Sequence, residues 1–434
     1  MLTTRLPSVP RCLLCVAISN QLHCCKVQKE QHDPNQHDPN RIEEYRKRPS
    51  RLVAGVMSGT SLDGIDVAFV RLEGTGGSLQ FQLAGFHFTP YPTDLRLQLL
   101  RASDGTLPLH EAFELDADLG MVYASAIQQG AIQCGIKLAE IDAVGLHGQT
   151  IYHNPRRPAA GVTVQIGSAS LVAEQLRTIV VNDFRTNDVA AGGEGAPLVP
   201  YCDLLLLGSP TQNRVALNIG GIANITALPR KASSATLVAF DTGPGNMMID
   251  AAMRQLFGRD HDAGGAVADS GTVNQALLKL LLRHPYFQMS PPKSAGREDF
   301  GEELSREIAQ MAVGAGFSPE AVIATLTQLT AQSIAQAIRR FSGIRGKITS
   351  VIVSGGGVHN RTLMRMLAEQ MPKSAVIPSD QFGLPSDAKE AICFAVLANE
   401  AICQTPANIP SVTGATRQVI CGAIRVGTRA SSGK

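Results

Sequence analysis

Two glycine-bearing turns, about 160 residues apart, constrain the fold of this 434-residue chain more than any other feature. The first segment, residues 53–70, reads VAGVMSGTSLDGIDVAFV, and the second, residues 215–226, reads VALNIGGIANIT. Each has apolar runs on both sides of a polar, glycine-bearing tip, which is the pattern of an antiparallel hairpin. Two such hairpins predict a duplicated fold with a cleft between its halves, although a chance similarity of two glycine hairpins would give the same pattern.

The length of the chain supports two domains. A chain of 434 residues is too long for one ordinary core, and 44% hydrophobic with 18% charged residues is a normal globular balance. Residues 1–50 contain a tandem QHDPN repeat and a charged stretch, so we expect a disordered extension there. The domains predicted to follow are 51–210 and 211–430, each opened by one hairpin.

Short β-rich runs alternate with helical stretches from residue 51 onward, which predicts an α/β architecture. The predicted strands are 53–57, 65–71, 143–146, 178–181, 215–219, 237–240 and 350–353. The predicted helices are 111–135, 250–257, 273–282, 304–314, 321–341, 361–370 and 387–403.

Charge and hydropathy exclude several classes of partner. A formal net charge of +2 gives no reason to expect nucleic acid or an acidic membrane surface. No apolar run reaches the roughly 18 residues that a membrane span requires. We therefore expect a cytoplasmic protein. The basic start of the chain, with no acidic residue before Glu30, leaves organelle targeting as the alternative.

Both hairpin tips carry the chemistry of an anion site. Successive backbone N–H groups at a glycine turn bind anions, and the hydroxyls of Thr60 and Ser61 add donors. Asp63 is placed to hold Mg²⁺, usually through water. An ordinary turn would explain the same residues. The candidate phosphate-binding residues of the two tips are Gly59, Thr60, Ser61, Asp63, Gly64, Asn218, Gly220 and Gly221.

Two strand-to-helix turns, DTGPGN at 241–246 and SGGGVHN at 354–360, are further candidates for a nucleotide site. Helix N-termini present free N–H donors to phosphate, and successive glycines let a base or ribose lie against the backbone. Tight packing of a helix on a strand also favours glycine. The candidate residues are Gly243, Gly245, Asn246, Gly355, Gly356, Gly357 and Asn360.

Asp183 follows a predicted buried strand, where functional side chains of open α/β sheets usually lie. A carboxylate there can act as a general base, while helix capping or a turn is the structural alternative. His147, Gln149 and Thr150 end another strand and are expected to face the same cleft, with His147 as a substrate contact or a structural residue. The sequence has no Gly-x-x-x-x-Gly-Lys-Ser/Thr loop, so ATP would have to bind between the glycine hairpins.

Several motifs in collinear order resemble the anhydro-N-acetylmuramic acid kinase family, from about residue 51 to about 427. They are GVMSGTSLDGID at 55–66, HGQT at 147–150, QIG at 165–167, DFR at 183–185, GGEGAPLVP at 192–200, NIGGIAN at 218–224, DTGPGN at 241–246, PKSAGRE at 292–298 and PSVTGA at 410–415. The resemblance implies two duplicated ribonuclease-H-like or actin-like ATPase domains around a central cleft. It also implies a homodimer, a small-molecule amino sugar as substrate, and ATP with Mg²⁺ as cofactors.

The reaction that the resemblance implies consumes ATP, water and 1,6-anhydro-N-acetylmuramic acid and yields N-acetylmuramic acid 6-phosphate and ADP. It implies Asp183 as the catalytic residue, while Asp63 is our own expectation for the metal. The substrate contacts that we expect are His147, Gln149, Thr150, Arg185 and Asp241.

Two residues depart from the family pattern, Asn182 where glycine is common and Glu194 where glutamine is common. They bear on substrate preference more than on the fold. Two alternatives stay open: a kinase of a free hydroxyl on another amino sugar, and a nucleotide-switched binding protein of the actin or Hsp70 type.

Overall fold

The structure of the protein, a computed structural model, describes residues 40–59 and 61–428. The elements of the first half are α1 (Arg41–Lys47), β1 (Ser50–Met57), β2 (Gly64–Glu73), β3 (Gln80–Pro90), α2 (Thr93–Ser103), α3 (Leu109–Gln133), β4 (Ala143–Leu146), β5 (Gln149–Asn154), β6 (Val162–Ile166), α4 (Ala169–Leu176), β7 (Ile179–Asn182), α5 (Thr186–Ala190) and α6 (Val199–Leu207). Those of the second half are β8 (Arg214–Ile219), β9 (Ile222–Leu228), β10 (Val238–Pro244), α7 (Met247–Phe257), α8 (Ala266–Ser270), α9 (Gln275–Leu281), α10 (Arg297–Phe300), α11 (Glu302–Gly314), α12 (Pro319–Phe341), β11 (Ser350–Ser354), α13 (Arg361–Gln370), β12 (Ala375–Pro378), α14 (Lys389–Ile402), α15 (Pro410–Thr413) and β13 (Ala423–Val426).

Two large sheets repeat one topology. The first has the strand order β13-β7-β4-β1-β2-β3 and the second has the order β10-β9-β8-β11-β12. In the first sheet three antiparallel strands, β3-β2-β1, are continued by the parallel strands β4 and β7. In the second, the antiparallel strands β10-β9-β8 are continued by the parallel strands β11 and β12. The predicted duplication of an α/β unit, with one glycine hairpin in each copy, is therefore confirmed.

Helix α14 lies in the core between the two sheets. One buried cluster joins Val53 and Val181 of the first sheet, Phe394 of α14, and Ala216 and Ile352 of the second sheet. The opposite face of the first sheet packs on α3, and that of the second sheet packs on α12 and α13. The architecture is thus layered, with helices outside each sheet and α14 in the layer shared by both.

Two glycines let α14 approach the first sheet at backbone distance. Gly55 of β1 and Gly145 of β4 are partners in the parallel ladder. A Cβ atom on Gly55 would lie 1.8 Å from the carbonyl oxygen of Ala391, and one on Gly145 would lie 2.0 Å from that of Phe394. Glycine in a strand commonly marks such a close backbone approach. These two positions therefore set how deeply α14 sits.

The predicted strands and helices are all present, with ends that differ by at most about four residues. The prediction missed several elements, among them β3, β5, β6, α2, α4 and α6. The domain boundaries at 51–210 and 211–430 remain a prediction. The sheets do not follow them at the C-terminus, because β13 pairs with β7 of the first sheet.

The expectation of disorder through residue 50 is wrong for its last part, since residues 41–47 form helix α1. Tyr45 of this helix is 2% exposed, and its hydroxyl donates a hydrogen bond to Asn399 Oδ1 at 3.0 Å. Arg46 Nε donates to the carbonyl oxygen of Ile402 at 2.7 Å, at the end of α14. A buried aromatic ring with a satisfied hydroxyl thus holds the segment on the core. Residues 1–39 lie outside the described part of the chain.

None of the helices in residues 40–59 and 61–428 is long and apolar enough to cross a membrane.

Candidate active site

A cavity of about 890 Å³ lies between the two hairpin tips. The first tip contributes Gly59 and Ser61, and the second contributes Gly220 and Gly221. The two predicted turns therefore face one cavity, while Thr60 lies outside the described residues. Further predicted residues that line it are Asp63, His147, Gln149, Thr150, Arg185, Asn218, Asn246, Gly355 and Gly356. Predicted residues that are not among its lining are Gly64, Asp183, Asp241, Gly243, Gly245, Gly357 and Asn360.

The first tip is shaped by hydrogen bonds to Asp63. Its Oδ1 accepts from Ser61 Oγ at 2.7 Å and from the backbone N–H of Gly64 at 3.0 Å. Gln149 Nε2 donates to the carbonyl oxygen of Gly59 at 3.1 Å, which ties the tip to strand β5. Asp63 thus closes the turn and also lines the cavity, and its role at a metal remains a prediction.

The second tip is held by the turn that follows β10. The N–H groups of Gly245 and Asn246 donate to the carbonyl oxygens of Gly221 and Gly220, each at 2.8 Å. A Cβ on Gly245 would lie 2.3 Å from the carbonyl oxygen of Gly220. The backbone of one predicted turn therefore packs directly on the other.

Packing accounts for some of the predicted glycines but leaves others open to the cavity. A Cβ on Gly243 would lie 2.7 Å from the ring of Phe287, and one on Gly357 would lie 2.4 Å from Ile219. Asn360 caps α13, because its Oδ1 accepts from the N–H of Leu363 at 2.9 Å. In contrast, the nearest atom to a Cβ would be 3.3 Å or farther at the cavity glycines Gly59, Gly220, Gly221 and Gly356.

The buried side chain of His147 pairs with the half-buried Arg185 at the cavity wall. Arg185 Nη2 lies 2.8 Å from His147 Nε2, and its Nη1 donates to the carbonyl oxygen of Gly195 at 2.8 Å. Burial, together with the Arg185 charge, lowers the pKa of His147 to about 3. The imidazole is therefore neutral, accepts from Arg185 at Nε2 and carries its proton at Nδ1. His147 thus has a structural contact at the cavity wall, and its contact with substrate remains a prediction.

Asp183 directly follows strand β7 and has a φ of +54°. A non-glycine residue in the left-handed region is uncommon, and such strain collects at functional sites. Its Oδ1 accepts from the hydroxyl of Thr186 at 2.6 Å, which is the contact of a local turn. The side chain is half-buried. Its catalytic role remains a prediction.

Asp241 lies in β10 opposite Asn224 of β9 and is held by two other segments of the chain. Its Oδ2 accepts from the N–H of Ala295 at 2.9 Å, and its carbonyl oxygen accepts from the hydroxyl of Tyr286 at 2.7 Å. Burial raises the pKa of Asp241 to about 6, although the Ala295 hydrogen bond and the charge of Lys293 oppose the rise. A carboxylate with a pKa near the working pH has the property of a general base.

Sequence reasoning missed four cavity carboxylates: Asp66 of β2, Asp250 of α7, Asp387, and Glu390 in the first turn of α14. Burial, and then the charges of Asp63, Glu390 and Asp387, raise the pKa of Asp66 to about 7. Burial raises the pKa of Glu390, while Lys389 and Arg185 act to lower it. The sequence signal for Glu390 was the charged pair Lys389 and Glu390, which directly precedes the apolar stretch 391–398 of α14.

Comparison with known proteins identifies the family of this chain. A profile of the anhydro-N-acetylmuramic acid kinase family matches residues 51–427. The chain belongs to that family. The anhydro-N-acetylmuramic acid kinase of Salinibacter ruber is 45% identical over 387 residues, which cover 88% of this chain and 97% of that protein. The corresponding protein of Bacillus cereus strain AH820 is 41% identical and covers 86% of this chain and 98% of its own length.

Among solved structures, the activator of the 2-hydroxyisocaproyl-CoA dehydratase from Clostridium difficile with bound ADPNP aligns with a TM-score of 0.43. That alignment has 11% sequence identity and covers 81% of this chain and 95% of the other.

The two departures from the family pattern have different surroundings. Glu194 Oε1 accepts from Arg156 Nε at 2.8 Å, and the pair lies at the surface with Arg156 77% exposed. The negative charge of Glu194 is thus compensated by a neighbouring cation. Asn182 ends strand β7 opposite Ala423, and its Oδ1 has no hydrogen-bond partner within the described residues. Nothing in these contacts explains the choice of asparagine there.

Proposed function

We propose that this chain is an ATP-dependent kinase of 1,6-anhydro-N-acetylmuramic acid, which opens the anhydro bridge with water and phosphorylates O6. Membership of the family carries the proposal. The cavity supports it, because about 890 Å³ is a usual size for a site that encloses small molecules. The products are N-acetylmuramic acid 6-phosphate and ADP.

The phosphates of ATP are expected between the two glycine tips. Gly59 lies on one side of the cavity, and Gly220, Gly221 and Gly356 lie on the other. Each leaves the backbone open to a ligand, and N–H groups that are already fixed in place stabilise the charge that develops during phosphoryl transfer. This contact of the backbone with phosphate accounts for glycines that packing alone does not require.

The cavity carboxylates fit a magnesium ion that is shared with the nucleotide. Asp63 and Asp66 line the cavity, and burial, followed by the nearby negative charges of Asp63, Glu390 and Asp387, raises the pKa of Asp66. No three ligand side chains within the described residues converge on a metal position, but Mg²⁺ usually takes one or two carboxylates together with phosphates and water. Asp63 and Asp66 would hold the ion. When bound, it would neutralise charge on the phosphates.

The anhydro sugar has no free hydroxyl at O6, so water must open the bridge before O6 can be phosphorylated. A base is required to activate that water. A base removes a proton from water as the water oxygen attacks the anomeric carbon, as in an inverting glycosidase. The C1–O6 bond breaks, and O6 then attacks the γ-phosphorus and displaces ADP. The phosphoryl group thus takes the place of the proton that a general acid would give to the leaving oxygen.

Two carboxylates compete for the role of base. The family resemblance of the DFR motif favours Asp183, and its strained backbone is consistent with a functional role. The pKa of about 6 favours Asp241, which lies opposite Asn224 in the ladder of β9 and β10. Neither side chain lines the cavity, so the family motif decides between them, and we propose Asp183 as the base.

The experiment measures ADP release by the purified full chain with 1,6-anhydro-N-acetylmuramic acid and with a panel of free amino sugars. Asp183→Asn and Asp241→Asn are compared with the surface control Asp104→Asn. Loss of the base is expected to lower kcat by roughly 10²–10⁴-fold with nucleotide affinity retained. Full activity of Asp183→Asn would reassign the base, and turnover of free amino sugars alone would reject the anhydro substrate.

A cytoplasmic location and a homodimer remain predictions from the sequence. Residues 1–39, which would carry any targeting signal, lie outside the described part of the chain.

A further inference from the structure

A buried ion pair joins the cavity residue Lys389 of helix α14 to helix α6. Lys389 Nζ lies 2.7 Å from Asp203 Oδ1, and each side chain is only 4% exposed. The other carboxylate oxygen of Asp203 accepts from the hydroxyl of Thr226 at 2.7 Å. Lys389 Nζ also donates to Ser354 Oγ at 3.3 Å. The ammonium group therefore meets side chains from α6 and from the second sheet.

This network ends at the nucleotide side of the cavity. Ser354 is the last residue of β11, and its Oγ lies 3.4 Å from Asn218 Oδ1 at the end of β8. Asn218 and Gly355, the residue after Ser354, both line the cavity. A continuous polar path thus runs from the first turn of α14 to the second glycine tip.

Glu390, which follows Lys389 in the sequence, lies at the other end of this path. Helix α14 packs on β1, β2 and β4 of the first sheet, and its first turn presents Lys389 and Glu390 to the cavity. The charge of Lys389 acts to lower the pKa of Glu390, against burial that raises it. The position of Glu390 relative to the glycine tip is therefore linked to the contacts of Lys389.

A buried ion pair is a poor way to gain stability, because the desolvation of both charges offsets their attraction. Apolar side chains of similar size would fill the same space, as they do at residues 391–398 of α14. In contrast, a directional ion pair with two additional hydrogen bonds, to Ser354 and from Thr226, fixes the relative positions of the groups it joins. The ion pair is therefore better explained by the positioning of the first turn of α14 than by a contribution to the stability of the fold.

We propose that Lys389 is a positioning residue that, through Asp203 and Ser354, holds the first turn of α14 in register with the nucleotide side of the cavity. This inference rests on the proposed kinase function for its effect on turnover. It also predicts an effect on nucleotide binding that does not depend on the sugar substrate.

The test uses a double variant in which the pair is replaced by apolar side chains, Lys389→Met with Asp203→Leu. Such a replacement of a buried pair is often neutral for folding. Asp203→Asn is a second variant, since an amide still offers an acceptor to Lys389 and a donor to Thr226. Ile338→Ala, in the buried face of α12, is the control for destabilisation remote from the cavity.

We expect the double variant to lower kcat and to weaken ADP binding, each by roughly tenfold or more, because small misplacements of reacting groups are costly. Asp203→Asn should lie between it and the wild type, and Ile338→Ala should lose stability but keep kcat and ADP affinity. A folded double variant with wild-type kcat and ADP affinity would overturn the inference. If the wild type fails to turn over the sugar, the proposed function fails, and ADP affinity alone decides the role of Lys389.

Discussion

Replacement of Gly55 by alanine tests how closely helix α14 must approach the first sheet. The added Cβ would lie 1.8 Å from the carbonyl oxygen of Ala391, about 1.6 Å inside an ordinary contact of 3.4 Å. It would also lie 2.6 Å from the N–H nitrogen of Ala395. Both neighbours are backbone atoms, so no side-chain rotation relieves the clash. The helix itself must retreat, and overpacking of this kind costs about 1–3 kcal/mol.

The retreat would move the cavity side of the helix as well. Glu390 precedes Ala391 in the sequence and lines the cavity, so a shift of about an ångström reaches the site directly. Misplacement on that scale costs roughly 100-fold in rate. We therefore expect Gly55→Ala to lose both stability and most of its kcat.

The assays are urea denaturation and steady-state release of ADP. Gly77→Ala is the matched control, because a Cβ there would meet nothing within 4 Å and that glycine has no left-handed φ. It should keep the stability and the kcat of the wild type. A Gly55→Ala variant with normal turnover and an unchanged urea midpoint would refute the argument that α14 is held at backbone contact.

Three further outcomes follow from single contacts. Burial raises the pKa of Asp241 to about 6, so folding disfavours its ionised form. Asp241→Asn should therefore be more stable than the wild type at pH 8, and this gain should shrink as the pH falls below 6. Urea midpoints at several pH values measure the gain. An equal gain at pH 4 and pH 8 would contradict that cause. Tyr45→Phe should cost about 1 kcal/mol in urea unfolding through the lost hydrogen bond to Asn399, and no loss would place α1 outside the folded core. Glu194→Gln should change stability by less than about 1 kcal/mol, because its partner Arg156 is exposed, and a larger loss in thermal unfolding would show that the pair is structural.

The hairpins and the duplicated topology could be predicted because their signals are local. One continuous segment of the sequence contains the strand Ser50–Met57 and the glycine tip that follows it. The segment Arg214–Leu228 repeats this pattern. The segment Gln80–Pro90 also alternates between exposed and partly buried residues, but no strand was predicted there from the sequence. Its register with Gly64–Glu73 confirms that alternation there reflects a real strand.

The contacts that complete the site depend on residues far apart in the chain. Lys389 meets Asp203, and Tyr45 of α1 meets Asn399, which lies 354 residues away. No periodicity marks such pairs, since burial of a polar group is decided by the partner that the fold brings to it. For the same reason Glu390 was overlooked, although its helix was predicted.

The most direct test of the central claim follows the oxygen atom of water. The reaction is run in H₂¹⁸O with 1,6-anhydro-N-acetylmuramic acid and ATP, and the product is analysed by mass spectrometry. Unlabelled product kept in H₂¹⁸O for the same time corrects for exchange at the anomeric carbon. If water opens the anhydro bridge before O6 is phosphorylated, each product molecule carries one ¹⁸O at C1 above the exchange control. Phosphorylated sugar with no label above that control would contradict the account.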